Sequence, residues 1–247
     1  MGPTPDSRDC GFDVTSSEKR AFEALCDRRA ERARALAERH PEASEVLTFY
    51  ASLAAFQKQA SPDELLTLVA AEGPLVLRRL AMELDAAACL EALEAYDSGA
   101  DRDSPRSFFG RALLQVRTAL APVEARQSDA DCPRCGHRPQ VGVLVPEGDG
   151  AALILSCSIC FGEWRHSRET CPSCRETSAE KLVHYHAPEL DHLEVLACDA
   201  CKIYLNVIRL VRAPDAVPDV DELAALPLDV WAADNDYRKL VRNLAGI

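Results

Sequence analysis

Apolar residues recur at helical spacing through the first half of the chain and change to short, partly β-branched runs in the second. Thr15-Ser-Ser-Glu18 has capping-box spacing and predicts a helix in which Phe22, Leu25, Ala33 and Leu36 recur near helical periodicity until His40-Pro41 stops it. A second helix is expected from Pro41 to about Gln59, with Val46, Leu47, Phe49, Tyr50, Leu53 and Phe56 on one broad face. Ser61-Pro62-Asp63-Glu64 caps a third, and Gly73-Pro74 breaks it. A further helical run reads from Leu75 to Tyr96, and a last one from Arg106 to about Leu120.

The period then changes. Gln140 to Val145 and Ala151 to Ser156 flank Pro146-Glu147-Gly148-Asp149-Gly150, and Lys181 to His186 and His192 to Ala197 flank Ala187 to Asp191, so two hairpins are expected. A strand-like segment follows each, Glu163 to Arg168 and Ile203 to Val211. Ala213 to Val220 reads as a linker, with short helices over Asp221 to Leu228 and Trp231 to Leu244 packing back on the body.

Four Cys-x-x-Cys pairs frame these hairpins: Cys132/Cys135, Cys157/Cys160, Cys171/Cys174 and Cys198/Cys201. Two residues between paired cysteines let a tight turn aim both sulfurs at one ion, and a tetrahedral site takes four soft thiolates. Each hairpin brings its two turns together, so neighbouring pairs are assigned to each other in preference to an interleaved arrangement; both use the same eight ligands. A disulfide framework is disfavoured because Met1 to Arg20 holds no apolar signal-peptide core. A redox dithiol reading suits a single pair better than four in matched repeats. Zinc and iron both suit such sites, and the spacing leaves the choice open.

The expected architecture is α+β: a flexible leader over 1–15 with a free thiol at Cys10, an all-α helical domain over 16–128, tandem rubredoxin-like or zinc-ribbon-like β modules over 129–169 and 170–212, and a C-terminal linker with short helices over 213–247. At 247 residues and 47% hydrophobic, the chain has enough apolar residues for a core, and no run approaches membrane-spanning length. The net charge of -12, and the lack of a basic cluster beyond Arg165 and Arg168 in the cysteine region, count against nucleic acid. Phosphate loops, nucleophile elbows and His-Glu-x-x-His pairs do not occur. His184 and His186 fall on one side of a strand and are expected to face solvent rather than a metal. Arg165, His166 and Arg168 either neutralise the anionic sites or form a solvated strand face. Cys26 and Cys89 read as core residues.

Several stretches carry a resemblance: Arg29-Ala-Glu-Arg-Ala-Arg-Ala-Leu-Ala37 leading to His40-Pro41, Cys132-Pro-Arg-Cys135-Gly-His-Arg-Pro139, Cys157-Ser-Ile-Cys160 with Glu163-Trp164, Cys171-Pro-Ser-Cys174, and Cys198-Asp-Ala-Cys201-Lys-Ile-Tyr-Leu205. With a helical half before two four-cysteine modules, the chain resembles the formate dehydrogenase accessory protein family, FdhE. It departs from that pattern at Lys202, where a glycine is expected, and in the tail from Asn235 to Ile247. The resemblance implies a cytoplasmic assembly factor without turnover of its own, with two metal ions, iron rather than zinc. The implied partner is the catalytic subunit of a respiratory formate dehydrogenase; a homodimer stays open. Rubredoxin-like electron transfer or redox sensing is the alternative function, and a ribbon-type nucleic-acid binder the least favoured.

Overall fold

The computed structural model describes residues 16–58, 61–120 and 130–244. The expected leader with Cys10, most of the polar passage from Pro122 to Asp131, and the last three residues lie outside the described residues.

Among the described residues, six α-helices build the first half: α1 (Ser16–Arg39), α2 (Ser44–Phe56), α3 (Pro62–Glu72), α4 (Leu75–Ala81), α5 (Ala86–Ser98) and α6 (Ser107–Ala119). The Ser61 side chain accepts from Glu64 N to start α3, as its sequence requires. The run read as one helix from Leu75 to Tyr96 is two. Residues 82–85 leave the helix, and Asp85 accepts a hydrogen bond from Ala88 N at 2.8 Å, which starts α5 on its own cap. Gly99, at φ +82, closes α5 in the left-handed conformation that glycine adopts without penalty.

α6 meets α5 closely at Gly110, where an added Cβ would stand 2.2 Å from the Ala92 carbonyl oxygen of α5. Gly110→Ala is therefore expected to cost about 3 kcal/mol, the upper end for overpacking. Urea denaturation checks this, with a midpoint that should fall at unchanged slope.

Seven strands follow: β1 (Pro139–Glu147), β2 (Gly150–Cys157), β3 (Glu163–His166), β4 (Leu182–His186), β5 (Leu193–Cys198), β6 (Ile203–Arg209) and β7 (Arg238–Lys239). The strands of the first hairpin reach further into the turn than its Pro and Gly suggested, because Glu147 pairs with Gly150 and leaves only Gly148-Asp149 between them. The strands form one sheet in the order β3-β2-β1-β6-β5-β4. The two modules are thus joined: β1 and β6 run parallel, with Gly142 opposite Val207, Val143 opposite Ile208 and Leu144 opposite Arg209.

Period-two alternation divides the sheet between two cores. Leu144, Leu153, Leu155, Leu196, Leu205 and Val207 share a core with the helical half, whereas Val141, Val195, Ala197, Tyr204 and Ile208 pack with Leu228 and Ala232.

The C-terminal segment differs from expectation at two points. The linker ends in a helical turn, α7 (Pro218–Asp221), that buries Val220 and Asp221 and ties to α1 through the Arg32–Asp221 ion pair. A 3-10 turn over Glu222–Ala225 leads into α8 (Leu226–Asp234). The helix expected from Trp231 to Leu244 stops at Asp234, because Asp236 takes a left-handed φ of +63 and turns the chain back. Arg238 and Lys239 then join β6 as a parallel strand, with Arg238 N donating to Lys202 O at 2.8 Å.

Candidate metal centres

The hairpins bring the cysteines into two groups, Cys132, Cys135, Cys157 and Cys160 in the first and Cys171, Cys174, Cys198 and Cys201 in the second. Within each, the four sulfurs lie within 4.8 Å of one another, so each group could hold a metal ion. Sulfur-to-sulfur separations are 3.4 Å (Cys135 to Cys157) and 3.5 Å (Cys132 to Cys160) in the first, and 3.7 Å (Cys174 to Cys198) and 3.9 Å (Cys171 to Cys201) in the second. Four sulfurs at about 2.3 Å from a central ion stand about 3.8 Å apart, whereas a disulfide needs about 2.05 Å. The residues present therefore fit a tetrahedral ion.

Crowding alone also points to a cation. In the first group, hydrogen bonds from Cys135, then Cys157 and Cys160, hold the Cys132 thiol far below its usual range, while hydrogen bonding to Cys132, then Cys135 and Cys160, pushes Cys157 far above. Sulfurs this close disfavour one another's ionisation, and a positive ion among them would let all four ionise.

The knuckles share a backbone plan. Gly136 N, Arg175 N and Lys202 N donate to the carbonyl of the first cysteine of their pair at 2.8, 3.1 and 2.8 Å. The residue after every second cysteine is left-handed: Gly136 at φ +76, Phe161 at +57, Arg175 at +64 and Lys202 at +58. The departure at Lys202 thus keeps the backbone a glycine would give. Its ammonium adds a 2.6 Å contact to Asp199 and lies 4.7 Å from the Tyr237 ring. Left-handed backbone costs a side-chain-bearing residue about 1–2 kcal/mol. Arg175→Gly is expected to raise the stability of the metal-loaded chain by roughly 0.5–1 kcal/mol, after the extra unfolded-state entropy of glycine is subtracted. The shift in calorimetric midpoint measures it.

The two groups differ in their surroundings. Three of the first group's cysteines are buried, whereas Cys174 of the second is exposed. The first is held by a buried polar chain. Arg29 of α1, 0% exposed, donates from Nε to Asp219 at 2.7 Å, from Nη1 to Gln57 Oε1 at 2.7 Å and from Nη2 to the Tyr50 hydroxyl, with its plane 4.2 Å from the Phe161 ring centre. Burial opposes its charge, but Asp219 and Tyr50 hold the guanidinium above its usual range. Gln57 Nε2 donates to Gln115 Oε1 at 2.7 Å, and Gln115 Nε2 to the Ser158 carbonyl, between Cys157 and Cys160, at 2.9 Å. Arg111 donates to that carbonyl at 3.3 Å, to Gln140 Oε1 at 2.5 Å and to the Arg242 carbonyl at 2.5 Å. Gln140 reaches Glu222 at 3.4 Å, and Lys239 bridges Glu222 and Asp229.

These residues escaped the sequence reading because charged and amide side chains default to the surface. A signal existed: Arg29 stands in phase with Phe22, Cys26, Ala33 and Leu36, and Arg111 and Gln115 with Phe108. Cys26 and Cys89 are buried as expected. Of the side chains considered as neutralisers, Arg165 pairs with Glu147 at 2.5 Å, Arg168 donates to the Ala151 carbonyl at 3.4 Å, and His166 Nε2 lies 3.0 Å from the Thr170 carbonyl. His184 and His186, expected to face solvent, flank the buried Glu194.

Fold and sites together define a helical protein carrying two sheet-linked four-cysteine modules. The crystal structure of the FdhE protein from Pseudomonas aeruginosa shares this fold, with a TM-score of 0.67 over 90% of this chain and 96% of that one, at 23% identity. In sequence the chain is similar to proteins named FdhE homolog: 34% identical over 116 residues to that of Aquifex aeolicus, covering 47% of this chain and 41% of that protein, and 34% over 133 residues to that of Stutzerimonas stutzeri, covering 53% and 43%. The matched stretches span less than half the length of these relatives, and no family model matches. The resemblance to FdhE proteins carried by the cysteine segments is borne out.

Proposed function

We propose that this chain is a cytoplasmic accessory factor for maturation of a respiratory formate dehydrogenase, binding the catalytic subunit of that enzyme without turnover of its own. The eight cysteines hold two ions, iron in the rubredoxin manner. The observation that carries this reading is the pair of four-sulfur groups fastened through one sheet to a helical body, in a chain similar to FdhE proteins. Among the described residues no helix is long and apolar enough to cross a membrane. The two modules supply a rigid platform and the helical half a second surface for the client.

The test is co-purification. Full-length tagged chain, prepared without oxygen, should retain the co-expressed catalytic subunit and show about two irons per chain with a thiolate-to-iron visible spectrum. Retention should fall at least tenfold when both sites are emptied by serine substitutions. Failure to retain the subunit with both sites filled would reject the reading. A second reading, electron transfer through iron, draws on the exposed Cys174, which sets the second site at the surface. It requires a reversible Fe(III)/Fe(II) couple, and zinc-filled chain that still matures the enzyme would exclude it.

A further inference from the structure

The two cysteine groups are embedded differently. Cys132, Cys157 and Cys160 belong to the core shared with the helical half, and Cys135 packs against it. Among the described residues, no cysteine of the second group joins either core. The first group is also covered. Gly162 runs so close to its sulfurs that an added Cβ would stand 3.2 Å from Cys160 Sγ and 3.8 Å from Cys132 Sγ, and Phe161 beside it lies under the buried Arg29. Gln115 and Arg111 fasten the Ser158 carbonyl between two of the ligands. At the matching turn of the second group stands Lys202, which is exposed and directs its ammonium to Asp199.

Within the second group the ligands divide. Cys171 and Cys198 are buried, and Cys171 Sγ accepts from Ser173 N at 3.4 Å and from Cys174 N at 3.5 Å, which anchors it. Cys201 is half-buried, whereas Cys174 and the neighbouring Arg175 are exposed.

We propose that the second group is a metal-exchange site, whose ion is cargo handed to an incoming thiolate, with Cys174 as the first ligand to leave. The first group keeps its ion. The assignment rests on each group holding an ion, as proposed for the function, and gives the two ions separate work. A thiolate is the acceptor class because soft sulfur ligands select the same ions that a four-thiolate site holds. The bond from the ion to Cys174 Sγ breaks as one forms to the incoming sulfur, and the proton of the incoming thiol passes to Cys174. Neither the ion nor a sulfur changes oxidation state. Repetition at Cys201 and then at the buried pair completes the transfer.

The test uses full-length chain prepared without oxygen and loaded with zinc, its content fixed by elemental analysis. With pyridylazoresorcinol as the indicator, added thiol should release one equivalent in a fast phase whose rate rises with thiol concentration. The other equivalent should leave roughly 10–100-fold more slowly, the scale on which partners that hold a ligand in place change metal retention. Acceleration by glutathione assigns a free thiol as acceptor, and acceleration only by a peptide carrying one Cys-x-x-Cys pair assigns a cysteine pair of another chain. N-ethylmaleimide added after the fast phase should label Cys171, Cys174, Cys198 and Cys201 and spare the first group. Release of both ions in one phase, a fast phase indifferent to both thiols, or label on the first group instead of the second would each overturn the proposal alone. Loading below two ions per chain would overturn it together with the two-ion reading on which it rests.

Discussion

Cys157→Ser is expected to destabilise the whole molecule, whereas Cys174→Ser unsettles only the end of the second module. Structural zinc sites in small peptides contribute about 10–16 kcal/mol of apparent binding free energy, which in such modules is folding free energy. The first site is also wired to the rest of the chain. Its knuckle carbonyl at Ser158 receives Gln115 and Arg111, and its Phe161 ring lies against Arg29, so a collapsed knuckle strands two buried guanidinium groups. A loss of about 5 kcal/mol or more follows, and at about 2–4 °C per kcal/mol for a chain of this size the midpoint falls by roughly 10–20 °C. Hydrogen exchange should show loss of protection reaching α1, α6 and the segment after Asp236. For Cys174, on the exposed side of the second group, protection should fall only around β4, β5 and their knuckles. Equal effects from the two serines would contradict this division.

The second large effect belongs to Arg29→Met. Methionine keeps most of the volume and removes the charge, which leaves Gln57 Oε1 and Asp219, still held by the Tyr50 hydroxyl, facing an apolar group. Breaking a buried ion pair by removing one partner costs about 3–5 kcal/mol, because the remaining charge loses its compensation. Adding Asp219→Asn to Arg29→Met should recover part of the loss, since the stranded carboxylate goes with it. Denaturant unfolding of the two single variants and the double variant gives the coupling. Additivity of the two losses would show that the pair does not interact as the geometry requires.

What could be read in the sequence followed from short-range rules. Both cysteine groups were legible because two-residue spacing and a hairpin-length loop dictate where thiolates meet, and the cap at Ser61 was legible because it acts within four residues. The break at 82–85 was missed although Asp85 is a capping residue, because the alanine and leucine run on both sides masks a boundary with no Gly or Pro. The β1–β6 seam was not legible. It pairs residues more than sixty positions apart, and no local pattern names a partner strand. The strand at Arg238–Lys239 was hidden for a related reason, since two residues carry no period. The left-handed backbone at Phe161, Arg175 and Lys202 ran against residue preference, and at Arg175 and Lys202 the hydrogen bond to the first cysteine's carbonyl overrides that preference.

The same seam governs how copies of the chain behave toward one another. β1 and β4 hold equivalent places in the two repeats, as do β3 and β6, so the junction of β1 with β6 is a head-to-tail contact between copies of one unit. Such a contact is not self-complementary, and it builds an open row unless the rotation between copies closes a ring. The free borders of the sheet, β3 and β4, are the same two surfaces offered again, and a row of molecules could lengthen without limit through them. Polymer growth is held back by the shortness of β3, four residues with Glu163 and Arg165 outward, and by the paired histidines along β4.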